Sequence, residues 1–409
     1  MKLYDELVWR GLIQEISSED LIEKLNNGGL TFYIGTDPTA DSMHIGHYSS
    51  FLISKRLASA GHHPILLVGG ATGLIGDPKP DSERPMITKE EVNKNFIGLK
   101  KQAEKIFGFE VVNNWDWTKD INIIDFLRDY GKYFNVNYML DKDIIRRRLD
   151  SGITYTEFSY MILQALDFKH LHECNGVDLQ CAGSDQWGNI TAGIELLRRE
   201  KEVQGFGLTM PLITKADGTK FGKTEGNAVW LDAEKTTPYE FYQFWINTDD
   251  RDVIKFLKYF TFLSLEEIAA VETEFLAAPE SRLAQKKLAE EVTSLVHGQE
   301  AYEQALRISQ ALFSGDIKGL SGEEIKQGFK GVPTYNVTQE DDLALVELLI
   351  TANVVPSKRQ AREDIKNGAI YINGERIQEL TYVISESDKI DGHSTVIRRG
   401  KKKYHLLQF

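Results

Sequence analysis

Short apolar runs alternate with segments of helical period over the first 225 residues. The runs that indicate strands end in glycine or polar residues: LTFYIG (30–35), HPILLVGG (63–70), FEVVNN (109–114) and VDLQCAGS (177–184). The segments of helical period between them cover 45–60, 88–107, 122–134 and 156–171. This alternation favours an α/β fold with a doubly wound parallel sheet, whose ligands bind beyond the carboxyl ends of the strands.

The rest of the chain changes character twice. Apolar residues recur at every third and fourth position from Asn227 onwards, which predicts an α-helical domain over 227–320. Glycine, proline and polar residues then predict a linker over 321–343. Residues 344–409 indicate a small α+β domain of two helices followed by a strand that turns at Asn373 and Gly374.

Charge is distributed unevenly along the chain. The net charge is -13, yet residues 351–409 carry 11 basic against 7 acidic side chains, which leaves the body of the chain at -17. A basic tail on an acidic body points to a polyanion bound by one module. The basic side chains expected to hold it are Lys358, Arg359, Arg362, Arg398 and Arg399. A solvated basic face is the alternative explanation.

The sequence gives no sign of secretion or membrane insertion. The first residues, MKLYDELVWRGLIQEIS, are amphipathic and acidic, and no stretch approaches the ~20 apolar residues of a membrane span. The two cysteines, Cys174 and Cys181, fit neither a disulfide framework nor a metal motif. We expect a cytoplasmic protein with no bound metal and no membrane partner.

Two histidines stand three residues apart in GTDPTADSMHIGH (35–47), where the first strand gives way to a helix. We expect His44 and His47 in the first helical turn, where free backbone N–H groups attract phosphate. Gly46 between them leaves room for a flat ring against the backbone. Taken alone, the motif favours an ordinary helix start with two solvated histidines over a nucleotide site.

The stretch DPTADSMHIGH and the later KFGKT (220–224) resemble the HIGH and KMSKS motifs of class I aminoacyl-tRNA synthetases, in the form found in bacterial tyrosyl-tRNA synthetases. Further stretches resemble that family in the same order, up to a tail like an S4 RNA-binding domain. They are GGATGLIGDP (69–78), YTEFSYMILQALDF (155–168), GSDQWGNITAG (183–193) and SKRQAREDIKNGAIYINGERI (357–377). The resemblance covers nearly the whole chain.

This resemblance implies a Rossmann-like catalytic domain over 1–226, interrupted by a dimerisation segment at about 115–160. The implied reaction activates L-tyrosine with ATP and then transfers the tyrosyl group to the 3′ end of tRNA(Tyr). ATP enters as a substrate with Mg²⁺, and no protein ligand for the ion can be named. A homodimer is the implied assembly.

The resemblance also assigns roles to individual residues. Thr39 and His44 would contact the departing pyrophosphate together with Lys220 and Lys223, whereas His47 and Ser50 would hold the ribose of ATP. Asp185 and Gln186 would lie near the adenylate ribose and the acyl group, with Asp185 binding ATP and Gln186 binding tyrosine. The remaining residues expected to bind ATP are Gly35, Asp37, Gly46, Gly183 and Thr224.

Tyrosine itself would be held by two groups of residues. Asp77, Tyr160 and Gln164 would lie near its ammonium group, and Tyr33 with Asp167 would bind its hydroxyl. Tyr160, Gln164 and Asp167 are spaced to project from one helix face. Aromatic residues in such runs usually fill a core, so the assignment of the two tyrosines depends on the resemblance.

One loop departs from the family. A Ser-Gly-Lys type sequence often follows GDP, whereas this chain has KPDSERP (79–85). Arg84 still suits a role at the phosphates, but the lysine that would join it is open, with Lys79 as one candidate.

Two other functions remain open from sequence alone. One is an RNA-binding regulator on a synthetase-derived body, which the presence of both histidines and both loop lysines disfavours. The other is a related nucleotidyltransferase or a tryptophanyl-tRNA synthetase, which the tyrosine-binding residues and the S4-like tail disfavour.

Overall fold

A computed structural model describes residues 1–79, 85–219, 221, 223–224, 227–401 and 403–409, with backbone only for 223, 224 and 227. The strands are β1 (Glu15–Ile16), β2 (Thr31–Thr36), β3 (His63–Val68), β4 (Glu110–Asn113), β5 (Val177–Gly183), β6 (Phe206–Met210), β7 (Lys223–Thr224), β8 (Asn227–Ala228), β9 (Thr334–Asn336), β10 (Ile370–Ile372), β11 (Glu375–Ile377), β12 (Ser394–Arg399) and β13 (Lys403–Gln408).

The α-helices are α1 (Leu3–Trp9), α2 (Asp20–Asn27), α3 (Ile45–Ser59), α4 (Thr72–Ile75), α5 (Lys89–Gln102), α6 (Trp115–Thr118), α7 (Ile123–Asp125), α8 (Val136–Leu140), α9 (Asp143–Leu149), α10 (Tyr155–Asn175), α11 (Trp187–Lys201), α12 (Pro238–Ile246), α13 (Val253–Phe260), α14 (Leu265–Ala277), α15 (Leu283–His297), α16 (Gln299–Ser314), α17 (Gly322–Gly328), α18 (Leu345–Thr351) and α19 (Lys358–Lys366).

The chain divides into two compact units. The first comprises residues 1–235 and 249–284, and the second comprises residues 236–248 and 285–409. The helices of the predicted helical domain are therefore divided between the two units. Helices α13 and α14 belong to the first unit, whereas α12 and α16 belong to the second. The domain bounds given by the sequence stay predictions.

The first unit is built on a six-stranded sheet of order β1-β6-β5-β2-β3-β4. The strands from β6 to β4 run parallel, and β1 pairs antiparallel with β6 at one edge. The predicted doubly wound sheet is confirmed. The strand order reverses beside β2, so a crevice opens between the carboxyl ends of β2 and β5.

The sequence analysis missed β6 and simplified two helices. All five residues of β6 are buried, and such a fully buried short run has no alternation to reveal it. The predicted helix over 88–107 becomes π-helical from Ala103 and ends at Gly108, whose φ is +72°. The predicted helix over 122–134 consists of α7, a π-helical turn (Phe126–Tyr130) and a 3₁₀ turn (Gly131–Tyr133).

The second unit carries a five-stranded sheet of order β11-β10-β12-β13-β9. The predicted turn between β10 and β11 is confirmed, since Asn373 and Gly374 have φ of +48° and +92°, as a two-residue hairpin requires. The segment predicted as a linker differs from expectation. It contains α17 and β9, because Ile325 and Phe329 bury their side chains in an apolar cluster and β9 pairs with β13.

Among the described residues, no helix is long and apolar enough to cross a lipid bilayer. Cys174 and Cys181 are both free thiols, the first exposed and the second buried.

Candidate active site

The two motif histidines form the start of α3. His44 is the N-cap residue, one position before the helical turn predicted for it, and its Nδ1 accepts a hydrogen bond from the Gly46 N–H at 3.0 Å. Nδ1 of His47 accepts in turn from the His44 N–H at 3.2 Å. Because both Nδ1 atoms act as acceptors, each neutral ring carries its proton on Nε2. The helix start therefore carries two imidazole N–H groups.

His47 is neutral as well as fixed. Burial and the neighbouring His44 lower the pKa of His47 to about 3. The centroids of the His44 and His47 rings lie 4.0 Å apart. The glycine between them is required by this packing, since a Cβ on Gly46 would lie 2.7 Å from Cε1 of His44. The further expectation that Gly46 leaves space for a flat ligand ring stays a prediction.

A cavity of about 290 Å³ opens at the carboxyl ends of β2 and β5. It brings together most of the residues that the sequence analysis assigned to tyrosine and to the reacting phosphate. They are Tyr33, Gly35, Asp37, Thr39, His47, Asp77, Tyr160, Gln164, Asp167, Asp185 and Gln186. Tyr160, Gln164 and Asp167 lie on one face of α10, as their spacing indicated.

The cavity has a buried polar group in Asp167. Its carboxylate accepts hydrogen bonds from Asn114 Nδ2 and from Trp117 Nε1, both at 2.9 Å. Burial raises the pKa of Asp167 to about 7, although these two hydrogen bonds oppose the shift. Asp167 is therefore a carboxylate that is costly to ionise and has two fixed donors to hold it.

The Tyr33 side chain lines the same cavity from β2. It is fully buried, and its hydroxyl finds no hydrogen-bond partner among the described residues. Burial raises the pKa of Tyr33, so the hydroxyl stays protonated and available as a donor. An unpartnered buried hydroxyl costs about 1–3 kcal/mol, a cost that a polar ligand would remove.

Asn114, Trp117 and Gln180 are among the residues at this site that escaped the sequence analysis. Asn114 and Trp117, the partners of Asp167, follow β4 at the same edge of the sheet, a position that could have marked them as candidates. Gln180 lines the cavity from β5, opposite Tyr33 in register, and its buried Oε1 has no partner within the described part of the chain. An alternating strand pattern cannot distinguish such a residue from core.

The other polar groups of the cavity are already arranged. The Tyr160 hydroxyl donates to Asp37 Oδ2 at 3.0 Å, and the Thr72 hydroxyl donates to Asp37 Oδ1 at 2.9 Å. Asp77 accepts from Gln186 Nε2 at 2.8 Å and from Asn189 Nδ2 at 3.2 Å. This region of the cavity therefore presents carboxylates suited to a cationic group.

A second cavity of about 380 Å³ shares Asp185 with the first. The predicted ATP residues Gly46, Ser50 and Gly183 line it. Phe221, from the predicted lysine loop, also lines it and packs with ring centroids 4.9 and 5.0 Å from Phe256 and Phe260. The two adjoining cavities together suit an amino acid joined to a nucleotide.

Several predicted site residues cannot be placed. Arg84 and Lys220 lie outside the described residues, and for Lys223 and Thr224 only the backbone of β7 is described. Lys79 is described, and its carbonyl oxygen accepts from Arg148 at 2.9 Å. The described residues contain no cluster of three or more His, Cys, Asp or Glu that could hold a metal ion.

The basic residues of the tail differ in what they contact. Arg359 and Arg362 are exposed on α19, and neither forms an ion pair within the described part of the chain. Lys358 pairs with Glu347 at 2.6 Å, and Arg399 pairs with Asp364 at 2.8 Å. Arg398 lies over the ring of Tyr371, 3.9 Å from its centroid. Arg359 and Arg362 are the most available of the five.

Comparison with known proteins places this site in a family. The family model for class I tRNA synthetases (W and Y) matches residues 25–314, and that for the SYY-like C-terminal domain of tyrosine-tRNA ligases matches residues 324–407. Tyrosine-tRNA ligase 2 of Enterococcus faecalis is 61% identical over 99% of both chains. The tyrosine-tRNA ligase of Geobacillus stearothermophilus is 58% identical over the full length of both.

A solved structure agrees with these matches. The truncated mitochondrial tyrosyl-tRNA synthetase of Aspergillus nidulans superposes with a TM-score of 0.68 at 30% identity, covering 76% of this chain and 94% of that one. The cavities at the switch point of the sheet, the histidine-capped helix and these matches lead to one conclusion: the chain belongs to the class I aminoacyl-tRNA synthetases, in the family of tyrosyl- and tryptophanyl-tRNA synthetases.

Proposed function

We propose that this chain is a tyrosine-tRNA ligase, which activates L-tyrosine with ATP and transfers the tyrosyl group to the 3′ end of tRNA(Tyr). The observation that carries the choice of amino acid is the buried pair of Tyr33 and Asp167. The hydroxyl of a bound tyrosine would donate to Asp167 and accept from Tyr33. Phenylalanine would leave both groups buried and unpaired, a form of rejection for which tyrosyl-tRNA synthetases are themselves the established example.

The ammonium and carboxylate groups of tyrosine would lie at the other polar groups of the cavity. Asp77 supplies negative charge for the ammonium group, with Tyr160 and Gln164 beside it on α10. The substrate carboxylate is itself the nucleophile that attacks the α-phosphorus of ATP. The site therefore needs no general base, and its task is to position the reactants and stabilise charge.

Charge that develops on the departing pyrophosphate would meet N–H donors and cations. The Nε2–H groups of His44 and His47 and the hydroxyl of Thr39 would act as donors; His47 and Thr39 line the first cavity, and His44 caps α3. Lys220, Lys223 and Arg84 would add positive charge, and ATP would arrive with Mg²⁺. Ser50 and Asp185 line the second cavity, where the nucleoside would lie.

The first experiment is ATP-pyrophosphate exchange with tyrosine and phenylalanine. Tyr33→Phe removes a hydroxyl that has no partner among the described residues, so the fold should be undisturbed while discrimination falls by about 1 kcal/mol, roughly fivefold. Asp167→Asn should impair activation of tyrosine strongly. The matched control is Tyr155→Phe, because Tyr155 is exposed. If both pocket variants kept the wild-type preference for tyrosine over phenylalanine, Tyr33 and Asp167 would be excluded as the residues that bind the substrate hydroxyl.

We also propose a homodimer formed through the inserted segment. Five apolar residues between 123 and 138 are exposed in the single chain: Ile123, Ile124, Leu127, Val136 and Tyr138. Exposed apolar side chains concentrated in one segment of the sequence are typical of an association surface.

Sedimentation velocity tests the dimer. Leu127→Asp places a charge among these side chains and should shift the full-length chain towards monomer. Phe313→Asp is the control, since Phe313 is 96% exposed but lies far along the sequence on α16. A wild-type chain that sediments as a monomer at micromolar concentration would contradict the proposal.

The tail would hold tRNA(Tyr) in the cytoplasm, where translation consumes the product. Arg359 and Arg362 would contact phosphates, because both are exposed on the helix that Ser357 caps. Membrane association has no part in this proposal.

Salt dependence of tRNA binding tests the role of the tail. The double variant Arg359→Gln/Arg362→Gln should bind tRNA more weakly, with a salt slope reduced by up to about 2, because fewer counterions are released. Formation of tyrosyl-adenylate should not change. Lys100→Gln/Lys101→Gln on α5 introduces the same charge change elsewhere and should leave the slope unaltered. An unchanged slope in the tail variant would remove these arginines from the interface.

A further inference from the structure

A buried ion pair joins Arg148 at the end of α9 to Glu157 in the first turn of α10. The side chains are 6% and 2% exposed, respectively. Two guanidinium nitrogens donate to the two carboxylate oxygens, at 3.2 and 2.9 Å. This two-point geometry fixes the plane of the guanidinium group as well as its position.

The same guanidinium group holds two backbone carbonyls. It donates to the carbonyl oxygen of Lys79 at 2.9 Å and to that of Gly152 at 3.2 Å. One side chain therefore joins the loop that follows α4, the turn between α9 and α10, and the start of α10. A side chain with fewer donors could not make all these contacts.

Two of these three segments form walls of the first cavity. Asp77 precedes Lys79 by two residues, and Tyr160 follows Glu157 by three residues, about one helical turn. Both Asp77 and Tyr160 line the cavity. Arg148 itself does not line it, so it can act on a ligand only through the spacing of these walls.

The energetics of burial favour a geometric role over a stabilising one. Removing two charges from water costs several kcal/mol for each ion, and well-packed apolar pairs are often as stable as the ion pairs they replace. An apolar pair would fill the space between α9 and α10. It could not donate to the carbonyl oxygen of Lys79, so the loop that carries Asp77 would lose its attachment to α10.

We infer that Arg148, oriented by Glu157, is a positioning residue that sets the distance between Asp77 and Tyr160 for the ammonium group of the amino acid substrate. This inference rests on the proposed function, in which these two residues bind tyrosine. Arg148 makes no contact with substrate in this account. Arg148 therefore affects the binding of tyrosine and leaves the binding of ATP unchanged.

The test compares three variants of the full-length chain by ATP-pyrophosphate exchange and by thermal unfolding. Arg148→Met/Glu157→Leu replaces the pair by apolar side chains, and Arg148→Lys keeps the charge without the planar fork. Arg146→Met is the matched control, because Arg146 lies on the same helix with its side chain 58% exposed.

In the double variant we expect the KM for tyrosine to rise by roughly tenfold or more, as when the outer partners of a site are lost. The KM for ATP should change by less than about twofold, and the unfolding temperature should stay at or above that of the wild type. Arg148→Lys should shift the KM for tyrosine in the same direction. Arg146→Met should leave all three quantities unchanged.

A stable double variant with a wild-type KM for tyrosine would overturn the inference. Equal increases in the KM for tyrosine and the KM for ATP would also overturn the inference. Loss of folding in both Arg148 variants would overturn it as well and would assign the pair to stability. Asp77→Asn separates this failure from that of the proposed function. If Asp77→Asn leaves tyrosine binding unchanged, the proposed tyrosine site is wrong, whereas a large effect there with none at Arg148 rejects only the positioning role.

Discussion

The burial of the Asp167 carboxylate is the constraint on which the candidate site depends. A carboxylate that is 1% exposed needs donors of its own, and Asn114 and Trp117 supply them from the segment after β4. Asn114 in turn donates to Thr72, which donates to Asp37. A continuous hydrogen-bond network therefore links Asp167 to the end of β2. Such a network fixes the shape of the cavity before any ligand enters.

The histidine-capped start of α3 meets a different requirement. A helix N-terminus that is to face phosphate must satisfy some of its own N–H groups without adding negative charge. His44 and His47 accept from the backbone through Nδ1, so the proton of each neutral ring is on Nε2. An Asp or Ser cap would also satisfy a backbone N–H of the first turn. The carboxylate of Asp would repel phosphate, however, and the shorter side chain of Ser would reach less far beyond the end of the helix.

The pattern of neighbouring residues predicted those parts of the fold that depend on interactions within one segment of the chain. The strands β2, β3, β4 and β5, the helix α3 and the turn at Asn373 and Gly374 follow from apolar period and turn chemistry. The site was predicted mainly from the family resemblance, since spacing on α10 showed only that Tyr160, Gln164 and Asp167 share a face. Asn114, Trp117, Gln180 and the hydrogen bond from Arg148 to the Lys79 carbonyl depend on contacts between distant segments. No window of sequence contains those contacts.

The pH dependence of tyrosine binding tests the role of Asp167 most directly. The pKa of about 7 for Asp167 means that the free protein must lose a proton before the carboxylate can accept the substrate hydroxyl. The dissociation constant should therefore fall by roughly tenfold per pH unit up to about pH 7 and then level off. His47, with a pKa of about 3, stays neutral throughout that range. A dissociation constant that is independent of pH from 5.5 to 8, or a dependence that persists in Asp167→Asn, would contradict the account.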